Sequence, residues 1–149
     1  MMDQRYATHL PALLYCVLKT TGPVLEIGSG PGSTPILRHL CGVTERDFAS
    51  IESDSAWAES TGALHSADYA MLPELANGHY SVVFIDNAPE GRRWQDALLF
   101  KDSAQYIVIH DLESAETAEG FGLHGHNWKH HRADRSLFPH TLILSQGEI

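Results

Sequence analysis

The amino-acid sequence predicts an α/β fold, in which a doubly wound, mostly parallel sheet of seven strands carries helices on both faces. Apolar runs of strand length alternate along the chain with segments of helical pattern. The runs are continuous rather than alternating with polar residues, which is typical of strands buried on both faces. In addition, polar residues follow most of these runs, as expected where the strands of an open parallel sheet end at a ligand site.

Length and composition indicate one globular domain. The 149 residues, 43% hydrophobic and 19% charged, are enough for a single core. No apolar run approaches the roughly 20 residues of a membrane span, and MMDQRYATHL lacks the pattern of a signal peptide. We therefore expect one cytoplasmic domain over residues 1–149, with an N-terminal helical segment, 1–22, that packs on the core or covers it.

The charge of the chain bears on its partners. Ten Lys and Arg against 19 Asp and Glu give a net charge of −9, whereas nucleic-acid binding needs a basic face. The sequence thus favours a neutral or cationic small molecule and argues against nucleic acid. Cys16 and Cys41 lie in apolar helical patterns without CxxC spacing, so we expect buried free thiols.

The first elements are marked by proline and glycine. A helix is predicted over Leu10–Lys19, which is apolar and contains few helix-breaking residues. Pro11 is tolerated there because it falls in the first turn. The stretch PVLEIG then reads as a short buried strand, and Gly28–Ser33 as a loop. A second helix is expected from Thr34, with Pro35 in its first turn, to about Cys41.

The middle of the chain contains shorter elements. Asp47–Glu52 alternates and predicts the second strand, and Ser53–Ser60 predicts a short helix. Ala63–Tyr69 indicates a weak third strand that runs into a loop. Pro73–Ala76 is expected to form one helical turn before the turn signal Asn77-Gly78.

The second half of the chain repeats the strand–helix alternation. Apolar strands are predicted at Tyr80–Ile85 and Gln105–Ile109, separated by an amphipathic helix at Arg92–Lys101. An acidic helix is expected at Leu112–Glu119. Two further strands are expected at Asn127–Arg132 and Thr141–Ser145.

Five predicted strands are followed by polar residues or glycine. In chain order these are Gly28-Ser29-Gly30, Glu52, Asp68, Asp86 and His110-Asp111. Because the carboxyl ends of parallel strands meet at one edge, these residues are expected to share a site near the point where the strand order reverses.

The spacing of the first two groups predicts a ligand that contains a nucleoside. Glu52 comes 24 positions after Gly28, where an acid can accept both ribose hydroxyls. The dinucleotide fingerprint would need a third glycine at the position of Ser33. The observed spacing is instead GxGxG over residues 28–32, preceded by Glu26 within the strand.

These motifs resemble those of the class I S-adenosylmethionine-dependent methyltransferases, which have a Rossmann-like fold. The likeness rests on ExGxGxG after the first strand, an acid closing the second, SAD after the third and FID ending the fourth. It covers residues 24–145 and implies that the last two strands are antiparallel. FIDNAPEGRR followed by IVIHD is most similar to the small-molecule O-methyltransferase branch, which includes cephalosporin and macrolide antibiotic-tailoring enzymes.

The resemblance implies S-adenosylmethionine as the cofactor and assigns residues to its parts. Glu26 would orient the loop or meet the amino group, Glu52 would hold the ribose, and Asp68 with Tyr69 would meet the adenine. The methionine part would contact Gly28, Ser29, Gly30 and Gly32. The predicted cofactor-binding set is completed by Ser33, Thr34, Ser53 and Asp86.

The candidate catalytic residues are Asp86, His110 and Asp111, at the ends of the fourth and fifth strands. Methyl transfer to a hydroxyl needs alignment and removal of a proton, for which a histidine is suited. The same three residues could instead ligate Mg²⁺ or another divalent ion, although metal-dependent relatives carry two carboxylates, or Asp-Asn, at the fifth strand. Both interpretations stay open, as do a hydrogen-bonded strand-end role for His110 and helix capping by Asp111.

Other polar and aromatic residues have two interpretations each. Arg92 and Arg93 could hold a substrate carboxylate or form a solvated helix start, and Trp57 could line the adenine pocket or pack in the core. Four histidines near the C-terminus favour an exposed edge strand over a metal site, because no known ligand spacing is complete. These are His124, His126, His130 and His131.

The sequence therefore predicts a methyltransferase acting on a small molecule at oxygen, without a nucleic-acid or membrane partner. Alternatives are a domain that binds the cofactor without catalysis and, less favoured because of Ser33, an NAD-dependent oxidoreductase. Little is inserted after the fifth strand, where many relatives place substrate-recognition elements. A lid from the segment Tyr6–Pro11, from a second subunit in a homo-oligomer or from another partner remains open.

Overall fold

A computed structural model of the chain describes residues 7–149, which build one seven-stranded sheet with helices on both faces. Residues 1–6 lie outside the described residues, and with them Tyr6, the first residue of the predicted lid segment. The strands are β1 (Val24–Ile27), β2 (Phe48–Glu52), β3 (Leu64–His65), β4 (Tyr80–Ile85), β5 (Ala104–Ile109), β6 (His130–Asp134) and β7 (Thr141–Ser145). The helices are α1 (Leu10–Leu18), α2 (Thr34–Val43), α3 (Ser55–Thr61), α4 (Leu72–Leu75), α5 (Arg93–Leu99) and α6 (Ala115–His124).

The strand order is β3-β2-β1-β4-β5-β7-β6. The first five strands of the chain are parallel to one another, whereas β7 is antiparallel to β5 and to β6. The order therefore reverses between β1 and β4, where parallel α/β sheets bind ligands. This topology confirms the predicted doubly wound, mostly parallel sheet and its antiparallel C-terminal pair.

The continuous apolar strands are explained by a core on each face of the sheet. Alternate strand residues face opposite sides, so Leu25, Val83 and Ile107 pack with α4 and α5, while Val82 and Val108 pack with α1 and α2. All four residues of β1 are buried. Both cysteines are buried free thiols in the second core, as predicted.

Two predicted boundaries differ from the structure near the third strand and the fifth-strand exit. The strand predicted at Ala63–Tyr69 is paired only at Leu64–His65, because Asp68 and Tyr69 have φ of 52° and 54°, which an extended strand cannot contain. The helix predicted at Leu112–Glu119 begins instead after Ser114, whose side chain accepts a hydrogen bond from the Thr117 N–H as an N-cap.

The sixth strand is displaced relative to the prediction at Asn127–Arg132. Gly125–Asn127 forms a 3₁₀ turn, and β6 runs over His130–Asp134 at the edge of the sheet. His130 and His131 are exposed there, as predicted for an edge strand. Within residues 7–149, no helix has the length and apolar character needed to cross a membrane.

The contact between α5 and α6 yields a test of this packing. A Cβ added at Gly120 would lie 1.9 Å from the ring of Trp94, whose Nε1 donates to the Thr117 carbonyl at 2.9 Å. We expect Gly120→Ala to lower the free energy of unfolding by about 1–3 kcal/mol, because a backbone or ring shift must make room. Urea unfolding monitored by circular dichroism measures the difference.

The matched control is Gly122→Ala in the same helix, where an added Cβ meets nothing within 4 Å. This change is expected to raise the free energy of unfolding by up to about 1 kcal/mol, because alanine is the better helix former. Equal effects at both positions would contradict the described packing of α6 on Trp94.

Candidate functional site

A cleft of about 930 Å³ opens at the carboxyl ends of the parallel strands. Its volume lies in the usual range for sites that bind small molecules and cofactors. The structure brings together in its walls seven of the predicted site residues. They are Ser29, Gly30, Ser33, Glu52, Asp86, His110 and Asp111.

Gly28 and Gly30, both in the loop after β1, have different structural roles. Gly28 has φ of +89°, and a Cβ there would lie 2.6 Å from the backbone of Asn87 after β4. It is therefore needed for the close approach of the two strand ends. Gly30 lines the cleft, and the nearest atom to an added Cβ is Ser33 Oγ at 4.0 Å, so a side chain there would extend into open space.

The glycine loop is stabilised by hydrogen bonds to the carboxylate of Glu26, which is fully buried. Glu26 accepts hydrogen bonds from the hydroxyls of Ser33, Thr34 at 2.7 Å and Ser50 at 2.5 Å. Burial raises the pKa of Glu26 to about 7, although the three hydroxyls oppose the rise. These contacts suit a residue that orients the loop, which is one of the two roles implied by the resemblance.

Glu52 ties the loop to the end of β2. Its Oε2 accepts from the Ser29 N–H at 3.0 Å, and its Oε1 accepts from the N–H groups of Ser53 at 2.7 Å and Asp54 at 3.1 Å. The Tyr69 hydroxyl donates to Oε1 at 3.2 Å. The carboxylate lines the cleft but is well supplied with donors, so a ribose would have to share or replace some of them.

Asp68 and Tyr69 do not line the cleft. Asp68 is exposed, while Tyr69 is buried beneath the guanidinium of Arg92, which lies 4.7 Å from the ring centre. The aromatic ring in the cleft wall is that of Trp57, whose Nε1 donates to the Ser29 carbonyl at 2.6 Å. Of the two interpretations of Trp57, the structure supports the pocket wall rather than core packing.

The opposite wall is organised by Arg93, which is buried at the start of α5. Its guanidinium pairs with Asp86 Oδ1 at 3.2 Å and with Asp111 Oδ2 at 3.2 Å, and donates to the carbonyls of Asn87 and His110. The burial of Arg93 contradicts the predicted solvated helix start, and its guanidinium, which lines the cleft, is already paired with two carboxylates of the chain. Arg92 is paired instead with Asp96.

His110 is fixed between two hydrogen-bonding partners. Its Nδ1 lies 3.1 Å from Asp86 Oδ1, and its Nε2 lies 2.8 Å from the hydroxyl of Thr8. A carboxylate only accepts, so the Nδ1–H donates to Asp86, and in the neutral imidazole Nε2 then carries the lone pair and accepts from the Thr8 hydroxyl. Asp111 does not cap α6, because Ser114 does.

Sequence reasoning missed His9 as a site residue. This histidine directly precedes α1, lines the cleft, and its ring centre lies 4.7 Å from that of Phe84 and 4.8 Å from that of His110. Burial lowers the pKa of His9 to about 4, so it is neutral at pH 7. A single histidine before an apolar helix carries no motif, and only the packing of α1 places it here.

A group of potential metal ligands also lies in the cleft. Ligand atoms of His9, Asp86 and His110 all lie within 4.8 Å of one another. The predicted metal-binding set of Asp86, His110 and Asp111 shares two members with this group. The four histidines near the C-terminus form no such group of metal ligands within the described part of the chain. They are His124, His126, His130 and His131.

Comparison with known proteins supports the fold. No protein-family model matches the sequence, and curated proteins give no significant match. The chain is similar to the solved METTL16 methyltransferase domain, with a TM-score of 0.63 and 13% identity over 93% of this chain and 82% of that one. It is also similar to a probable spermidine synthase from Corynebacterium glutamicum, with a TM-score of 0.65 and 12% identity over 100% of this chain and 66% of that one.

A third neighbour is the 16S rRNA N2 G1207 methyltransferase RsmC of T. thermophilus, solved in complex with AdoMet and guanosine. The TM-score is 0.54 and the identity 15%, over 95% of this chain and 39% of that one. At such identities the likeness is one of fold. The chain thus has the methyltransferase fold, as the resemblance implied.

The raised pKa of Glu26 makes the stability of the protein depend on pH. The folded pKa of about 7 lies above the ordinary value of 4.5, so the carboxyl favours folding fully below pH 4.5 and loses this contribution as pH rises through 7. Compared with Glu26→Gln, which cannot ionise, the wild type should lose up to about 3 kcal/mol of unfolding free energy between pH 4.5 and pH 8.

Urea unfolding of both proteins across this range measures the effect. The difference between them isolates Glu26, since His9 titrates in both. A difference that stays constant from pH 4.5 to pH 8 would contradict the burial of a proton-binding carboxyl at this position.

Proposed function

We propose that the protein is an S-adenosylmethionine-dependent methyltransferase that transfers a methyl group to the hydroxyl oxygen of a small molecule. The observation that carries the proposal is the cleft at the reversal of strand order. The glycine loop and Glu52 form one wall, and Asp86, His110 and Asp111 form the other. We further propose that residues 1–149 act as one cytoplasmic domain.

The residues of the cleft fit this cofactor. The open space over Gly30 leaves room for a ligand against bare backbone, and Ser29 beside it lines the same wall. Carboxylates in the cleft suit the ammonium and sulfonium charges of S-adenosylmethionine, and Trp57 adds an aromatic ring to the wall that would meet its base. When bound, S-adenosylmethionine supplies a methyl group on a positively charged sulfur that is already a good leaving group.

The remaining work falls to the chain's own side chains. Because Nδ1 of His110 donates to Asp86, the lone pair on Nε2 is set to take a proton from an acceptor hydroxyl that replaces the Thr8 hydroxyl. Asp86 is the group that holds the imidazole in this tautomer. Asp111, fixed by Arg93 at the rim, is the third proposed catalytic group.

A small-molecule acceptor is preferred to nucleic acid on electrostatic grounds. The neighbour RsmC is named as an rRNA methyltransferase, but this chain has a net charge of −9 and carboxylates in its cleft. Phosphate backbones would be repelled by such a surface. We propose that the protein acts without a membrane partner. A second subunit of a homo-oligomer could supply a lid for the open cleft.

Two alternatives are separated by ligand binding. An NAD-dependent oxidoreductase is disfavoured because Ser33, at the position of the third glycine, donates its hydroxyl to Glu26 as part of the loop. A domain that binds the cofactor without catalysis would share every cofactor contact proposed above. Product formation alone distinguishes it.

We expect calorimetric titration to show binding of S-adenosylhomocysteine and none of NADH. Gly30→Val should abolish this binding in a folded protein, because the new side chain enters the cleft, while Gly42→Val on the exposed side of α2 should not. Glu52→Gln should weaken binding at least about tenfold, because a carboxylate acceptor becomes an amide. Unchanged affinity in Gly30→Val would count against the cofactor site.

The proposed proton acceptor is tested by turnover. Across a panel of phenols, sugars and amines, product should form with hydroxyl acceptors, and His110→Gln should lower kcat by about 10²–10⁴-fold at unchanged affinity for S-adenosylhomocysteine. Full activity of His110→Gln would remove this residue from the chemistry. Binding without product from any acceptor would favour the binding-only alternative.

A further inference from the structure

Three side chains from separate parts of the chain meet in the inner wall of the cleft. His9 precedes α1, Asp86 follows β4 and His110 follows β5, yet their ligand atoms all lie within 4.8 Å of one another. Donor atoms bind first-row metals at about 2.0–2.2 Å, so those around one ion lie roughly 3–4.4 Å apart. Small side-chain rotations would therefore bring the three atoms to coordination distance.

The imidazole of His9 is the strongest sign of a missing ligand. The residue is only 1% exposed, and neither ring nitrogen has a hydrogen-bond partner within residues 7–149. A buried polar group without a partner is costly, and native structures rarely tolerate it. Because the ring lies against His110 in the cleft wall, a ligand in the cleft can satisfy it.

The other two groups can also serve an ion. The contacts of Asp86 with His110 and Arg93 are both made by Oδ1, so we assign Oδ2 to the ion. His110 would exchange one of its two hydrogen bonds for the metal, and in the metal-bound form its lone pair would bind the ion instead of accepting the proton of the acceptor hydroxyl. The single guanidinium of Arg93 pairs with two carboxylates, those of Asp86 and Asp111, and can neutralise only one of their two negative charges. The wall therefore has a net negative charge that favours a cation.

We propose that His9, Asp86 and His110 bind one divalent transition-metal ion such as Zn²⁺, Fe²⁺ or Mn²⁺. Two imidazoles and one carboxylate suit these ions better than Mg²⁺ or Ca²⁺, which take oxygen ligands. Three protein ligands leave coordination positions open toward the cleft. Asp111 lies outside this set, since its carboxylate is paired with Arg93.

The coordination positions that the three protein ligands leave open could bind the acceptor, and this role rests on the function proposed above. An oxygen of the acceptor would occupy one of them, so the ion would select acceptors that carry a coordinating hydroxyl. Metal binding itself does not depend on that function, and the two are measured separately.

The test is titration of EDTA-treated full-length protein with Co²⁺, followed by visible absorbance, with Zn²⁺ as the competitor. We expect one tight equivalent of Co²⁺ that Zn²⁺ displaces. His9→Phe keeps the ring against Phe84 but removes the ligand nitrogen, and should weaken Co²⁺ binding at least about 100-fold. Circular dichroism and the melting temperature establish that the variant is folded.

The matched control is the double variant His130→Ala/His131→Ala, which removes two exposed histidines of β6. It should keep the tight equivalent. The inference is overturned if Co²⁺ binds no more tightly than about 1 mM, if His9→Phe binds it like the wild type, or if the control loses it. Titration of the metal-free protein with S-adenosylhomocysteine separates these failures from a failure of the proposed function, which predicts binding there.

Discussion

The candidate site depends on one buried carboxylate. Glu26 lies within β1, and the three hydroxyls that donate hydrogen bonds to it belong to the glycine loop (Ser33), to α2 (Thr34) and to β2 (Ser50). A single side chain therefore links a strand, its neighbour, the following loop and the following helix. Since it is fully buried, its hydrogen bonds do not compete with water, and they fix the loop relative to the sheet.

A second network holds the opposite wall. Arg93 brings together the carboxylates of Asp86 and Asp111 and two backbone carbonyls, so that groups after β4 and β5 keep fixed positions. Without the guanidinium, two carboxylates beside His110 would repel each other in a partly buried wall. The cleft is thus preorganised on both sides by charges and donors that lie behind its surface.

Much of this could be predicted from the sequence, because buried parallel strands carry a strong local signal. The limits of β4 and β7 were predicted to the residue, and the strand-end rule placed Glu52, Asp86 and His110 at one edge. The prediction was wrong where tertiary structure decides the backbone. β3 stops early because Ala67–Tyr69 forms a 3₁₀ turn in which Asp68 and Tyr69 have left-handed φ values. β6 is displaced because its edge position leaves little apolar pattern. His9 carries no motif, and the role of Arg93, the last residue of FIDNAPEGRR, arises only from how α5 packs on the sheet.

The connection between β6 and β7 reaches the cleft through Pro139, while its neighbours Leu137 and Phe138 are exposed. It belongs to the antiparallel pair at the sheet margin and not to the parallel strands that carry the glycine loop. Surface connections of this kind accept insertions and replacements more readily than the elements they join. A change in the length or chemistry of this hairpin would therefore alter the rim of the cleft and leave in place the ends of β1, β4 and β5 that form its walls.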